Sequence, residues 1–567
     1  MDQLTVIDFF CGAGGFSEGF RQKGFKIKQG YDNWKPAIQT YNHNFGTKSE
    51  LKDILDFYTS VEDIEALPDT DIILGSPPCV SFSSSNKSGK ADKSLGLKLT
   101  ESYLRIIAVK KHQKKSKLKA WFMENVVNSK KYLKASYTFT DLGLDEWAKS
   151  NNLDPQHTAI KLLDNTAIIN AADYGSLQAR KRVISGEIIK MRKLVIPDPT
   201  HRSPKQNSIL PVYKTIGDMK RNFPSPFTKK QSLIIKDPQF DIALSQELVT
   251  DHFYDTGIFR IDAKFSKHWK TNHPYMGKMA FPENEDKPSR TITATRIANS
   301  RESIIYKSEV KRKGDGEYRV PTIREAAILM GFPISYQFYG SEYTKWRLIG
   351  NAVCSTVSRM LATSVLKNLD AEIPNRLIIS KKVSLEGIQN LNTYSLKSFD
   401  KPPVKNKGAK CRWHSFKDGN LTVTLSNYRI GEDHKSRNRW YTSVQYGSGE
   451  GFPIQKIQDG HYLKIESLIT KFEAGEQFIK IINNGFSGKI GTKKELQYLF
   501  EHQKSMDGKK DPTELVEELK QIINQLSVTS DLFSQQEVIF KNKTDIPVKQ
   551  LFALYGINKI ASIANSE

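Results

Sequence analysis

Short apolar runs alternate with polar, helix-period stretches through the first half of the chain. Leu4-Thr-Val-Ile-Asp8-Phe-Phe10 reads as a buried strand, followed by a glycine turn, Cys11-Gly12-Ala13-Gly14-Gly15. Phe16 then opens a helix. Phe25 to Tyr31 is strand-like and ends in Asp32, ahead of a helix over 35–45. Ile72 to Leu74 is a third short apolar run, stopped by Gly75 and two prolines. A helix over 101–110 leads to Trp121-Phe-Met-Glu124-Asn125, another buried strand, ending in a carboxylate. Near 178–184, polar residues enter a strand, and the two-residue period puts Gln178, Arg180 and Arg182 on one face. Strands alternating with helical patterns predict an α/β fold with a parallel sheet.

The second half is patterned differently. Residues 188–286 are rich in Pro, Lys, Asn, Phe and His and lack strong periodicity. A Pro- and Lys-rich linker over 398–408 suggests a boundary. Beyond it, 420–428 and 440–446 alternate like half-buried strands. Residues 511–526 read as an amphipathic helix with Pro512 at its start. These elements predict a C-terminal α+β accessory domain. Its basic segment, with Arg429, Lys435, Arg437, Arg439 and Trp440, is either a DNA contact or a solvated loop.

Charge narrows the partner. Lys plus Arg number 85 against 62 Asp plus Glu, a net charge of +23. That excess points to a polyanion, above all nucleic acid, because phosphate contacts release counterions. The four cysteines (Cys11, Cys79, Cys354, Cys411) are far apart, which fits neither a disulfide framework nor a zinc pattern and suits a reducing, intracellular setting. Cys411 with His414 lacks two further ligands, so no metal is expected. The N-terminus has no basic, long-apolar leader pattern, and no apolar run is long enough to span a bilayer.

Several residues carry candidate chemistry. Cys79 follows Ser76-Pro77-Pro78, a stiff loop past a strand's carboxyl end, where open α/β sheets place their chemistry. A thiol there is a candidate nucleophile or one more buried cysteine. The glycine turn allows close backbone approach to a ligand. Asp32, some 20 residues on, suits ribose hydroxyls or a helix cap. Asp53 beside Ile54 suits an adenine amine or is a loop aspartate. Glu124, on an apolar strand, suits a proton donor or a cap. Residues 83–99 are polar and suit a mobile loop.

Taken together and in order, Asp8-Phe-Phe-Cys-Gly-Ala-Gly-Gly-Phe16, Pro78-Cys79, Glu124-Asn-Val126 and Gln178-x-Arg180-x-Arg182 resemble the DNA cytosine-5 methyltransferase family. Thr322-Ile-Arg324-Glu325 through Gly331-Phe332-Pro333 and Gly350-Asn351-Ala352-Val353 resemble that family's last two motifs. The resemblance covers about residues 1–369 and is that of bacterial or phage restriction–modification enzymes. It departs from the family at Val80, where Gln is usual, at Leu177, where Pro is common, and at Cys354.

The resemblance implies a doubly wound, Rossmann-like methyltransferase domain with S-adenosyl-L-methionine as cofactor. Cofactor contacts are then expected from Phe10, Gly12, Ala13, Gly14, Gly15, Asp32, Asp53, Ile54, Pro78, Asn351 and Ala352. Cys79 would be the nucleophile and Glu124 the proton-sharing group on the ring. Arg182 would bind the ring oxygen, and Arg180 would brace Glu124 and backbone phosphate. Ser83, Ser85, Gln178, Arg290, Thr291 and Arg296 would touch substrate DNA, with the cytosine flipped out of the duplex. The expected domains are 1–187 catalytic, 188–286 target recognition, 287–369 closure and return to the catalytic domain, and 370–567 accessory. The expected protein is a cytoplasmic, nucleoid-associated monomer acting on double-stranded DNA, with a cognate restriction endonuclease as possible partner. Two alternatives stay open, a tRNA cytosine-5 methyltransferase and a non-catalytic DNA-binding regulator.

Overall fold

The computed structural model describes residues 3–78, 94–228, 233–272, 277–393, 396–399, 413–418, 421–427, 439–446, 454–456, 459–502, 507–534 and 545–566. They form two compact units, which divide at residues 402/403.

The first unit is built on a seven-stranded sheet. Its strands are β1 (Thr5–Phe9), β2 (Lys26–Asp32), β3 (Glu50–Leu51), β4 (Ile72–Gly75), β5 (Ala120–Asn125), β6 (Thr166–Asn170) and β7 (Lys181–Ile188). Their spatial order is β3-β2-β1-β4-β5-β7-β6. The first five run parallel, and β7 is antiparallel to both its neighbours. This is the expected Rossmann-like methyltransferase sheet.

The central strands β1, β4 and β5 read as mostly apolar runs because both faces are covered. On one face Val6, Ile72, Leu74, Ala120, Phe122 and Ile184 pack with Phe16 and Phe20 of α1 (Gly15–Gln22). On the other, Ile7, Phe9, Ile73, Trp121 and Met123 pack with Tyr103, Leu104 and Ile107 of a later helix (Ser94–His112). Odd and even residues of each strand thus fall into different cores, as the pleat requires. Each fully buried large apolar side chain contributes about 1.5–3 kcal/mol. Between β2 and β3 lies α2 (Lys35–Phe45), and the helix Ser94–His112 is α3.

Downstream come α4 (Ile216–Asn222), α5 (Arg260–Thr271), α6 (Ile323–Leu329), α7 (Glu342–Asn351) and α8 (Ser355–Asn368). α8 returns against α1 so closely that a methyl on Gly19 would lie 2.4 Å from the Arg359 backbone nitrogen.

Two expected boundaries are corrected. The 188–286 stretch is not a separate compact unit: Ile216, Met219, Ile235 and Phe253 share one core with Ile323, Leu329 and Leu361. The accessory region does not begin at 370 either. The Ile378 N–H donates to Gln22 O (3.0 Å), the Thr393 N–H donates to Phe253 O (3.0 Å), and Asn392 Oδ1 accepts the His252 and Phe253 N–H groups. Residues 370–399 are strapped to the first unit by such long-range bonds, which leave no periodic trace in sequence.

The second unit holds a four-stranded antiparallel sheet in sequential order: β8 (Trp413–Asp418), β9 (Leu421–Ser426), β10 (Tyr441–Tyr446) and β11 (Ile454–Lys456). Its helices are α9 (Asp459–Ile469), α10 (Gly475–Ile481), α11 (Lys493–His502), α12 (Pro512–Gln525) and α13 (Val548–Ala564). Asp511 caps α12 by accepting the Thr513 and Glu514 N–H groups, with Pro512 in the first turn. Among the described residues, no helix is long and apolar enough to cross a membrane.

Candidate active site

The glycine turn joins β1 to α1. Its start, Phe10, is half-buried with φ 52°, and Gly12 (φ 52°) and Gly14 (φ 83°) are left-handed. The Gly12 N–H donates to Asp32 Oδ2 (2.9 Å), and the Trp34 N–H donates to Asp32 Oδ1 (2.9 Å). Asp32 therefore ties the turn to the start of α2. Burial raises its carboxyl, opposed by those backbone donors. The helix cap expected of Asp32 is not made, since the N-cap of α2 is Trp34 with no side-chain cap bond, but Asp32 stands directly beside the turn.

The turn is pressed from behind by the last motif. A methyl on Gly15 would sit 2.1 Å from Val353 O and 3.2 Å from Ala352 Cβ. The Tyr336 hydroxyl donates to Ala13 O (2.5 Å). A methyl on Gly12, in contrast, would meet nothing within 4 Å among the described residues, which leave this part of the turn open. Ala352 is buried and Asn351 exposed. Asp53 is exposed and accepts the Leu55 N–H (3.0 Å). Ile54, expected against an adenine, is 2% exposed and packs in the core with Phe9, Tyr31 and Phe57.

Beneath the turn lies a buried acid that sequence reading passed over. Asp8 accepts the Ser17 hydroxyl on Oδ2 (2.7 Å), and its Oδ1 has no hydrogen-bond partner among the described residues. Burial raises its carboxyl to about 7. Cys11, next to the same turn, has its thiol pushed up by burial and by Asp32 and Asp8.

The second half of the site lies on β4, β5 and β7. The Ser76 N–H donates to Phe9 O (3.2 Å), and its hydroxyl donates to Glu124 Oε2 (3.0 Å). Asn125 Nδ2 donates to Pro77 O (3.3 Å). Pro77 is buried and Pro78 exposed. Arg182 Nε pairs with Glu124 Oε1 at 2.9 Å. The carboxylate on an apolar strand thus sits in a polar setting, with a hydroxyl on one oxygen and a guanidinium on the other. Cys79, Ser83 and Ser85 lie outside the described residues.

Several expectations change. Arg180 does not brace Glu124. It is 3% exposed and donates to the carbonyls of Ile292 (3.0 Å), Gly350 (3.3 Å) and Ala352 (3.2 Å). Arg182 is the residue beside Glu124. Gln178, expected on DNA, is fully buried; its Oε1 accepts the Ile292 N–H (3.1 Å) and its Nε2 faces Met330 Sδ (3.1 Å). Two charges expected on DNA are held by carboxylates: Arg290 pairs with Glu283, and Arg296 with Glu342. The Thr291 hydroxyl donates to Ala179 O (3.3 Å). Sequence reading also missed Ser76 and Tyr336. Ser76 could have been found from its place at the end of β4, whereas nothing local marks Tyr336.

The chain is similar to known proteins. A family model described as C-5 cytosine-specific DNA methylase matches residues 4–367. Type II methyltransferase M.HindV of Haemophilus influenzae is 39% identical over 369 residues, covering 64% of this chain and 96% of that protein. Type II methyltransferase M.HgiDI of Herpetosiphon aurantiacus is 28% identical over 365 residues, covering 64% and 94%. Among solved structures, the S. pombe Dnmt2 methyltransferase is 16% identical with a TM-score of 0.39, covering 65% of this chain and 100% of that one. The chain belongs to the C-5 cytosine-specific DNA methylase family and, by that membership, is a DNA (cytosine-5-)-methyltransferase.

Proposed function

We propose that the chain methylates carbon 5 of a cytosine flipped out of a specific short duplex sequence, as the modification enzyme of a type II restriction–modification system. The observation that carries this reading is the Ser76–Glu124–Arg182 cluster, held at the carboxyl end of β4.

Carbon 5 of cytosine is a weak nucleophile. The Cys79 thiolate adds to carbon 6, forming a carbon–sulfur bond and pushing electron density onto carbon 5. Only the thiolate is competent, so a cationic surround favours the step. Glu124 shares a proton with ring nitrogen 3 as charge develops there. Arg182 sits between that carboxylate and the ring oxygen, and Ser76 holds the other Glu124 oxygen in place. After methylation a base takes the carbon-5 proton, and the thiolate leaves by elimination.

S-adenosyl-L-methionine fits the residues present. Gly12 leaves a ligand room at the backbone, and Asp32 offers a carboxylate beside it. Phe10, Gly12 to Gly15, Asp32, Asp53, Pro78, Asn351 and Ala352 are the proposed contacts. When bound, the cofactor supplies an electrophilic methyl group. Residues 188–286 are proposed to read the target, with Lys and Arg for guanine and Asn and Gln for adenine.

The test is a duplex carrying 5-fluorocytosine, which blocks the final elimination. The wild-type chain with cofactor should form a covalent protein–DNA complex, absent in Cys79→Ala. Cofactor binding should survive in that variant. A trapped complex in Cys79→Ala would reassign the nucleophile. No complex with duplex DNA but one with tRNA would reassign the substrate.

A further inference from the structure

The second unit lies beyond the family match, which ends at residue 367. It holds a cavity of about 220 Å³ where β9, β10 and α11 meet. Three kinds of wall meet there.

The first is cationic. Lys493 and Lys494 occupy the opening turn of α11, and Arg439 stands at the start of β10. A helix N-terminus already carries partial positive charge, and the lysines add to it, which favours an anion there. Neither Arg439 nor Lys494 makes an ion pair among the described residues. Among the described residues, Glu501 is the single carboxylate lining the cavity.

The second wall is aromatic. Trp440 is buried at the base. Tyr498 is 49% exposed and stacks on His502, with centroids 4.0 Å apart and planes 27° apart. The third wall is an amide relay. Asn427 Nδ2 donates to Gln497 Oε1 (2.8 Å), and Gln497 Nε2 donates to Glu501 Oε1 (2.9 Å). The relay fixes the direction of each amide, so the groups lining the cavity present a set pattern of donors and acceptors.

An anion site, a flat π face and an oriented amide edge are the complement of one nucleotide: phosphate, base face and base edge. The volume is below the roughly 300 Å³ at which drug-sized pockets begin, so it suits a single base. We propose that this cavity binds one unstacked nucleotide of a DNA strand. Arg439, Lys493 and Lys494 take the phosphate, Tyr498 stacks the base, and the Asn427–Gln497–Glu501 relay meets its edge. Aromatic platforms joined to cationic grooves hold single strands in this way. The site gives the enzyme a second grip on DNA outside the methyltransferase core.

The experiment uses the full-length chain and a single-stranded oligonucleotide carrying 5-iododeoxyuridine. After irradiation, cross-linked peptides are mapped by mass spectrometry. The cross-link is expected at Trp440 or Tyr498 and should fall about tenfold in Tyr498→Ala, the loss of one base–aromatic stack. It should fall similarly in the surface double variant R439E/K494E. Both variants should keep the wild-type thermal midpoint. Excess deoxymononucleotide should leave the cross-link in place; its abolition would make a free nucleotide the ligand and overturn the strand assignment. No cross-link within residues 427–502, or equal yields in wild type and variants, would overturn the site altogether. Because no methyl transfer is measured, failure of the proposed catalytic mechanism would leave this result unaffected.

Discussion

Arg182 Nε lies 2.9 Å from Glu124 Oε1, an ion pair formed across the neighbouring antiparallel strands β5 and β7. In the register, Glu124 pairs with Ile184 and Asn125 with Val183, which brings the Arg182 side chain beside the strand-end carboxylate. The same carboxylate holds Ser76 through its other oxygen. Arg182 and Glu124 therefore act as one unit. Arg182→Ala should lower kcat by roughly 10² to 10³, the usual cost of one donor to developing charge. Combining it with Glu124→Gln should cost little more than the worse single change, because the two share one function. Single-turnover methylation of the four forms checks this; fully additive losses would show that the residues act separately.

The glycine turn offers a contrasting pair. Gly15→Ala drives a methyl to 2.1 Å from a backbone oxygen, so Val353 must move. We expect a stability loss of about 3 kcal/mol. Gly12→Ala meets no atom and pays only the left-handed backbone, about 1 kcal/mol. Its methyl enters the proposed cofactor space, so cofactor affinity should fall more than stability. Urea unfolding together with calorimetric titration of S-adenosyl-L-methionine separates the two effects. Equal losses of stability would contradict the geometry.

Arg180 is predicted to matter for structure first. It gathers three backbone carbonyls from the segments around 292 and 350–352. Arg180→Ala strands buried acceptors and should cost about 3 kcal/mol. Denaturant midpoints should drop, and cofactor affinity should weaken as Ala352 loosens. An unchanged midpoint with impaired DNA binding would restore the phosphate role expected from sequence.

These cases mark how far the sequence could be read. The central strands were legible because Ile72 to Leu74 and Trp121 to Met123 are buried on both faces and form unbroken apolar runs, and Val6 to Phe9 is interrupted by Asp8 alone. Glu124 was legible because it closes such a run, and Asp32 because it ends a strand some 20 residues after the glycine turn. Gln178, Arg180, Arg290 and Arg296 were not. Their partners lie 7 to 170 or more residues away, at Glu283, Glu342, Ile292, Gly350 and Ala352, and a polar side chain carries no local sign of whether it meets water, DNA or a distant carbonyl. The 370–399 strap escaped for the same reason: backbone bonds to Gln22 and Phe253 impose no side-chain period.

Asp8 sets a pH dependence. Its folded carboxyl is raised from 3.8 to about 7, because burial disfavours the charge. Between these values the folded state keeps a proton that the unfolded state has lost, so stability falls as pH rises from about 4 to 7 and is level above that. The share due to Asp8 is of the order of a few kcal/mol. Asp8→Asn keeps an oxygen for the Ser17 hydroxyl and cannot ionise. Relative to wild type, it should be more stable at pH 8 than at pH 5 in urea unfolding. A difference that does not change with pH would mean Asp8 is ionised in the folded protein throughout.

The central claim is that the chain methylates cytosine in one short DNA sequence with Cys79 as the nucleophile. The most direct measurement is base-resolution mapping of 5-methylcytosine in DNA from cells expressing the chain, beside cells expressing Cys79→Ala. The account predicts methylation at a single short motif that vanishes in the variant. Methylation that persists in Cys79→Ala, or DNA unmethylated in both, would contradict it.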